Sequence, residues 1–104
     1  MEKINKAIQE RMADNNFRVE TLAGIVGISR VHLHRKLKEL TQLTASDYIR
    51  SVRLKRAAEL ISSRKMNVSE VAYATGFANL SHFSAAFKNY YGVSPRDYGN
   101  EQLT

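Results

Sequence analysis

The 104-residue sequence predicts an all-α chain of about seven helices, in which one helical unit is used twice and a long central helix joins the copies. Three observations predict it. Apolar residues recur every three to four positions, with no alternating stretch that would make a strand. Residues suited to capping (Ser29, Thr44, Asn67, Asn79, Ser94) stand just ahead of the periodic segments. Finally, VETLAGIVGI (19–28) aligns without gaps on VSEVAYATGF (68–77), pairing Leu22 with Val71, Ala23 with Ala72, Gly27 with Gly76 and Ile28 with Phe77. One extra residue then enters, after which Leu33 matches Phe83, Leu37 matches Phe87, and Thr44-x-x-Asp47-Tyr48 matches Ser94-x-x-Asp97-Tyr98.

Each element has its own reason. Ile4, Ala7, Ile8 and Met12 make an amphipathic first helix, expected to end near Asn15-Asn16. Leu22, Ala23 and Val26 form the stripe of a second helix, Gly27 suits a left-handed turn, and Ser29 caps the helix over 29–41. Thr44 caps a helix from Ala45 to Ser63, with Ile49, Val52, Leu60 and Ile61 among its buried positions. Asn67-x-x-Glu70 is a capping-box start for the second unit, where Ala72 and Gly76 repeat the roles of Ala23 and Gly27, and Asn79 or its neighbours open the next helix. Gly92 is a helix stop, and Ser94-Pro95 opens a short last helix. Each unit has the layout of a helix-turn-helix. The chain reads as one domain of two such subdomains, 1–43 and 65–104, joined by a linker helix at 44–64.

Composition excludes several functions. The chain has no cysteine, hence no disulfide framework, thiolate zinc site or cysteine nucleophile. No apolar run approaches the roughly 20 residues that span a bilayer, and MEKINKAIQERM lacks a signal peptide's apolar stretch; a soluble cytoplasmic protein without membrane contact is expected. His32 and His34 project about 200° apart on a helix and His82 lies in the other unit, so no metal site is expected. With no acid/base pair and no Gly-rich phosphate loop, the chain is expected to be neither an enzyme nor a cofactor binder. The five tyrosines fall at helix-packing spacing and read mostly as core or rim. The net charge of +6 is concentrated: residues 29–65 hold ten Lys/Arg against Glu39, Asp47 and Glu59. That pattern fits a polyanionic partner or a solvated helix face. The basic linker residues Arg50, Arg53, Lys55 and Arg56 fit solvation, cover of apolar surface or a path along DNA, while Arg53 and Arg56 could instead pair with Asp47 and Glu59.

On a helical wheel centred on Leu33, Leu37 and Leu40 fall within about 40°, Val31, Arg35 and Lys38 roughly 140° to 160° away, and His34 at about 100°. The outward face is Val31, His34, Arg35 and Lys38; its counterpart in the second unit is Ser81, Ser84, Ala85 and Lys88, opposite a seam of Phe83, Phe87 and Tyr90. In a DNA major groove Arg35 could bond guanine, His34 and the serines base edges or phosphate, and Val31 a thymine methyl. Arg30, Lys38 and Lys88, with the early backbone amides, would meet phosphates and fix register, and the capping residues Ser29 and Asn79 are counted with them as candidate DNA-binding residues. The linker, about 28 Å long, suits two heads over grooves about 34 Å apart. The rival reading is a helical protein-interaction module whose basic linker docks an acidic partner.

The stretches GISRVHLHRKLKELTQLTASDYIRSVRLKRAAELI and VSEVAYATGFANLSHFSAAFKNYYGVSPRDY resemble the DNA-binding domain of AraC/XylS-family transcription regulators over nearly the whole chain. The resemblance implies two recognition helices in neighbouring major-groove segments of promoter DNA, in most members to activate transcription through contact with RNA polymerase. It places base-contacting positions at Val31, His34 and Arg35, and at Leu80, Ser81 and Ala85. Position 85 often carries arginine in that family, so the first head is expected to read more of the sequence; Gly99 also departs, standing where a basic residue is common. The SRxxLxRKLKxLT and RLKRAAELI wording is most similar to the segment ending hybrid two-component sensor regulators. The chain is accordingly expected to be a C-terminal piece of a longer regulator, monomeric when alone.

Overall fold

In the computed structural model, which describes residues 1–101, the order is α1 (Glu2–Arg11), α2 (Val19–Val26), α3 (Arg30–Thr41), α4 (Ala45–Ser63), α5 (Val68–Ala74), α6 (Leu80–Tyr91) and α7 (Pro95–Glu101). No strand occurs among the described residues. The molecule is elongated, 43 × 24 × 23 Å.

Helix starts follow a repeated local grammar. Ser29, Thr44, Asn67, Asn79 and Ser94 each accept a backbone N–H three residues on, from His32, Asp47, Glu70, His82 and Asp97, at 2.7–3.1 Å. These bonds satisfy amides that the first helical turn leaves without partners. Glu70 returns the favour, accepting the Asn67 N–H at 2.9 Å to close the capping box. The residue before the cap is apolar and stands five positions ahead of another apolar residue inside the helix: Phe17 with Leu22, Ile28 with Leu33, Met66 with Val71. All six are buried or half-buried. Such staples fix the angle at which the chain enters each helix.

Two cores form, and one helix serves both. Ile4, Ile8, Phe17, Leu22, Leu33, Leu37, Ala45 and Ile49 belong to the first; Leu54, Ala57, Ala58, Ile61, Val71, Phe77, Phe83 and Phe87 belong to the second. The division falls within α4, which packs against all six other helices. Its apolar side chains are therefore spread around the helix instead of along one stripe. Val52 and Leu60, expected to be buried, are only half-buried, because they lie along the seam between the cores.

Other expectations need correction. α1 stops at Arg11, short of Asn15-Asn16, because Asp14 diverts the chain: its carboxylate accepts the Asn16 N–H at 2.9 Å and its carbonyl the Phe17 N–H at 3.1 Å. Leu40 and Tyr90 lie outside their seams, 56% and 46% exposed. They occupy matching last turns, and both helices overrun the core by that turn. Tyr73 is exposed as well, leaving Tyr48, Tyr91 and Tyr98 half-buried.

The repeated glycines differ in what surrounds them. Gly27 (φ 83°) ends α2 with open space where a Cβ would stand, whereas a Cβ on Gly76 (φ 90°) would overlap the Met12 carbonyl oxygen and lie 2.9 Å from Arg53 Nε. A left-handed residue with a side chain costs about 1–2 kcal/mol; at Gly76 a steric collision with backbone from the first core is added. Gly27→Ala is thus expected to destabilise by about 1 kcal/mol and Gly76→Ala by clearly more, as read by thermal or urea unfolding. Gln42 also ends its helix left-handed (φ 66°), where its counterpart Gly92 (φ 82°) needs no strain. Gln42→Gly is expected to leave stability unchanged or raise it by up to about 1 kcal/mol in the same measurement.

Candidate nucleic-acid interface

Burying Leu33 and Leu37 completely turns the opposite arc of α3 outward. Val31 is 68% exposed, and His34, Arg35 and Lys38 are exposed too. In α6 the fully buried Phe83 and Phe87 do the same for Ser81, Ala85 and Lys88, and Leu80 at its start is exposed, whereas Ser84 is half-buried. The aromatic seam is continuous: Phe77, Phe83, Phe87 and Tyr98 meet edge-on or tilted with centroids 5.1–5.7 Å apart. Leucines hold one head, edge-on and tilted rings the other.

Several of the polar side chains already have partners. Ser29 and Asn79 spend their oxygens on caps. Arg30 pairs with Glu20 at 3.0 Å, both well exposed. Lys38 Nζ donates to the Gln42 carbonyl at 3.2 Å, supporting the end of its own helix. His34 Nδ1 accepts the Ala45 N–H at 3.5 Å, a long contact that ties α3 to the start of α4. Arg35 and Lys88 take part in none of the ion pairs among the described residues.

Two adjoining clefts place parts of both units on one face. Arg30, Arg50, Arg53, Phe77, Ala78 and His82 line the first; Arg50, His82, Ala85 and Lys88 line the second. The start of α3, the middle of α4 and the outer face of α6 therefore share a surface with Arg50 at its centre. Ser29, Val31, His34, Arg35, Lys38, Asn79, Leu80, Ser81 and Ser84 lie outside these two linings. The linker arginines behave differently from one another. Arg50 reaches Asp47 at 3.5 Å and Arg56 reaches Glu59 at 2.8 Å, all half-exposed or more.

For Arg53 the sequence leaves open solvation, cover of apolar surface, a path along DNA and pairing with Asp47 or Glu59; the side chain makes no ion pair among the described residues and turns toward the α1–α2 loop. Its Nη2 donates to the carbonyls of Asp14 (3.1 Å) and Phe17 (3.2 Å), and its buried Nε has no partner. Burial pulls its pKa down, partly offset by the nearby Asp14 charge. The sequence carried a signal for this: Arg53 interrupts the i+4 row Ile49, Ala57, Ile61, all buried. Elsewhere burial raises the Tyr48 phenol, though its bond to Asn5 lowers it, and burial together with Tyr90, Tyr98 and Glu59 raises Tyr91. No three His, Cys, Asp or Glu side chains among the described residues are grouped to hold a metal, and no helix is long and apolar enough to cross a membrane.

Residues 22–101 match the family model described as a helix-turn-helix domain. The chain is 34% identical over 100 residues to histidine kinase P4 of Formosa agariphila, covering 96% of this chain and 7% of that protein. It is 37% identical over 78 residues to the HTH-type transcriptional activator RhaS of an Enterobacter species, covering 75% of this chain and 28% of the activator. It thus spans only a minor part of these relatives. Among solved structures, the DNA-binding domain of the global transcriptional factor AdpA in complex with a target DNA superposes with a TM-score of 0.86 at 26% identity, covering 96% of this chain and 89% of that one.

The caps at the starts of α3 and α6 matter before any ligand is present. Asn79→Ala should lower unfolding free energy by about 1 kcal/mol, with a similar loss for Ser29→Ala, measured by urea denaturation.

Proposed function

Because this chain belongs to the AraC/XylS family of helix-turn-helix proteins, we propose that it binds double-stranded promoter DNA in a sequence-specific manner, as the C-terminal output domain of a larger bacterial transcription regulator. The observation that carries this is the pair of matched helices, α3 and α6, each with a buried apolar seam and an exposed opposite arc, joined by a linker that packs against both. In this reading residues 1–43 and 65–104 are the two heads and 44–64 the linker. α3 enters one major-groove segment with Val31, His34 and Arg35 toward base edges, and α6 enters the next with Leu80, Ser81, Ser84 and Ala85. Ser29, Arg30, Lys38, Asn79 and Lys88 meet the phosphates, as do the amides of the first turns, where the helix dipole favours an anion. Arg35, in no ion pair among the described residues, is the strongest candidate for guanine, and the Ser81/Ala85 arc leaves α6 the poorer reader.

The parent regulator is read as an activator that contacts RNA polymerase, in the two-component sensor setting to which the resemblance to a histidine kinase points. The domain itself is cytoplasmic, monomeric when alone and without catalytic chemistry.

Binding should weaken steeply with salt, because each neutralised phosphate releases counterions. Arg35→Ala should lose about 1–3 kcal/mol of discrimination between a duplex selected by the wild-type chain and a random one. Lys38→Ala should weaken both alike and reduce the salt slope by about one. Fluorescence anisotropy titrations over a salt series check both. Equal loss on selected and random duplex for Arg35→Ala would remove it from base readout. Absence of any duplex binding at low salt would point instead to an acidic protein partner.

A further inference from the structure

We infer that Arg53 is a positioning residue that fixes the angle between the two heads, and thereby the half-site spacing this domain accepts. The inference rests on the DNA-binding reading above.

Three contacts meet at one point. Arg53 leaves the middle of α4, between the two cores, and its Nη2 donates to the Asp14 and Phe17 carbonyls of the α1–α2 loop. That loop ends at Phe17, whose ring is buried in the first core one residue before the cap of α2. The other side of the guanidinium lies against the backbone of Gly76, the turn residue between α5 and α6, with Met12 of the first unit touching the same spot. Arg53 thus bonds the approach to the first helix-turn-helix while lying on the turn of the second.

The duplication supplies an internal control. Gly27 is the counterpart of Gly76 and has only open space around its missing Cβ. The tight turn alone does not require such crowding, so the crowding at Gly76 reflects contact between units. Both bonds come from Nη2, whose two N–H groups are fixed in the guanidinium plane, so together they define a direction as well as a distance, which a freely rotating ammonium would define less well. Arg53 is also committed: its Nη2 is held by two protein carbonyls, although the half-buried side chain borders the cleft lined by Arg30 and Arg50, so the salt slope separates positioning from phosphate contact.

For two heads on one duplex the angle translates directly into spacing. Each added base pair moves the second site by about 3.4 Å and turns it by about 34°. A rigid pair tolerates one arrangement; a loosened pair tolerates several.

The test uses a duplex selected from a random pool by the wild-type chain, and versions with one or two base pairs inserted between the two protected segments. Wild type is expected to lose roughly tenfold or more in affinity on a single insertion. Arg53→Met should shrink that penalty to about threefold or less, Arg53→Lys should fall between, and the salt slope of Arg53→Met should match wild type. A destabilised control remote from the junction, Ile4→Val, should keep the full penalty. Because the chain has no cysteine, spin labels placed through Glu39→Cys and Asn89→Cys report the inter-head distance without DNA. Its distribution should be narrow in wild type and broad in Arg53→Met. If Arg53→Met fails to fold, Gly76→Ala and Arg53→Lys carry the same two measurements.

An undiminished spacing penalty with a narrow distance distribution would overturn the inference while leaving DNA binding intact. A salt slope reduced by about one would make Arg53 a phosphate contact instead. If wild type binds no duplex, the DNA reading falls first, and an equally narrow distribution in Arg53→Met then rejects the junction's role as well.

Discussion

One helix has to satisfy two cores, and most of the molecule's organisation descends from that constraint. α4 gives Ala45 and Ile49 to the first core and Leu54, Ala57, Ala58 and Ile61 to the second. The larger of these, Ile49, Leu54 and Ile61, contribute about 1.5–3 kcal/mol each, so each subdomain draws a substantial part of its core from this helix. A domain this small has little core to spare. The cost is a helix with apolar residues on several sides and, at the crossover, a half-buried charge. Two hydrogen bonds from this charged donor, Arg53, worth about 1.5–3 kcal/mol each, offset the partial removal of its guanidinium from solvent, although Nε has no partner among the described residues.

The two units show how far a duplicated scaffold can diverge while its local rules persist. Caps, staples and helix lengths are retained: Ser29 and Asn79 accept the N–H three residues on, Thr44 and Ser94 do likewise, and α3 and α6 have 12 residues each. Packing chemistry changed, from leucines behind α3 to edge-on and tilted rings behind α6. Backbone solutions changed too. The left-handed stop after α6 is glycine, while after α3 it is Gln42, stabilised by Lys38 reaching the Gln42 carbonyl.

Much of this was legible because capping and periodicity are local. The extent of α4, the capping box at Asn67 and Glu70, and the left-handed glycines at 27, 76 and 92 each follow from residues a few positions apart. What escaped depends on where the core ends or on partners far along the chain. A helical wheel gives Leu40 the same direction as Leu33, but it contains no axial limit, and the core stops one turn earlier. The same error recurs at Tyr90. Arg53 bonds residues 36 and 39 positions away, so no nearby sequence pattern identifies its partners; only its place in an apolar i+4 row marks it as unusual. Of the candidate interface, the outward arcs of α3 and α6 were legible, but the central place of Arg50 between Arg30 and Lys88 was not, since that requires folding the linker against both heads.

The chain's positive charge therefore divides by exchangeability more than by number. Arg30 with Glu20, Arg50 with Asp47 and Arg56 with Glu59 are exposed pairs of the kind worth about 0–1 kcal/mol. A phosphate near Arg30 or Arg50 can replace such a partner at little cost, and Lys38 can likewise leave the Gln42 carbonyl, which water would then solvate. Arg53 cannot be recruited so easily, because withdrawing it would strip two carbonyls and open the junction beside Gly76. A central segment rich in basic residues thus contains two kinds of charge: loosely held cations that a polyanion can take over, and one half-buried cation, tied to two carbonyls, that keeps the surface presenting them in shape.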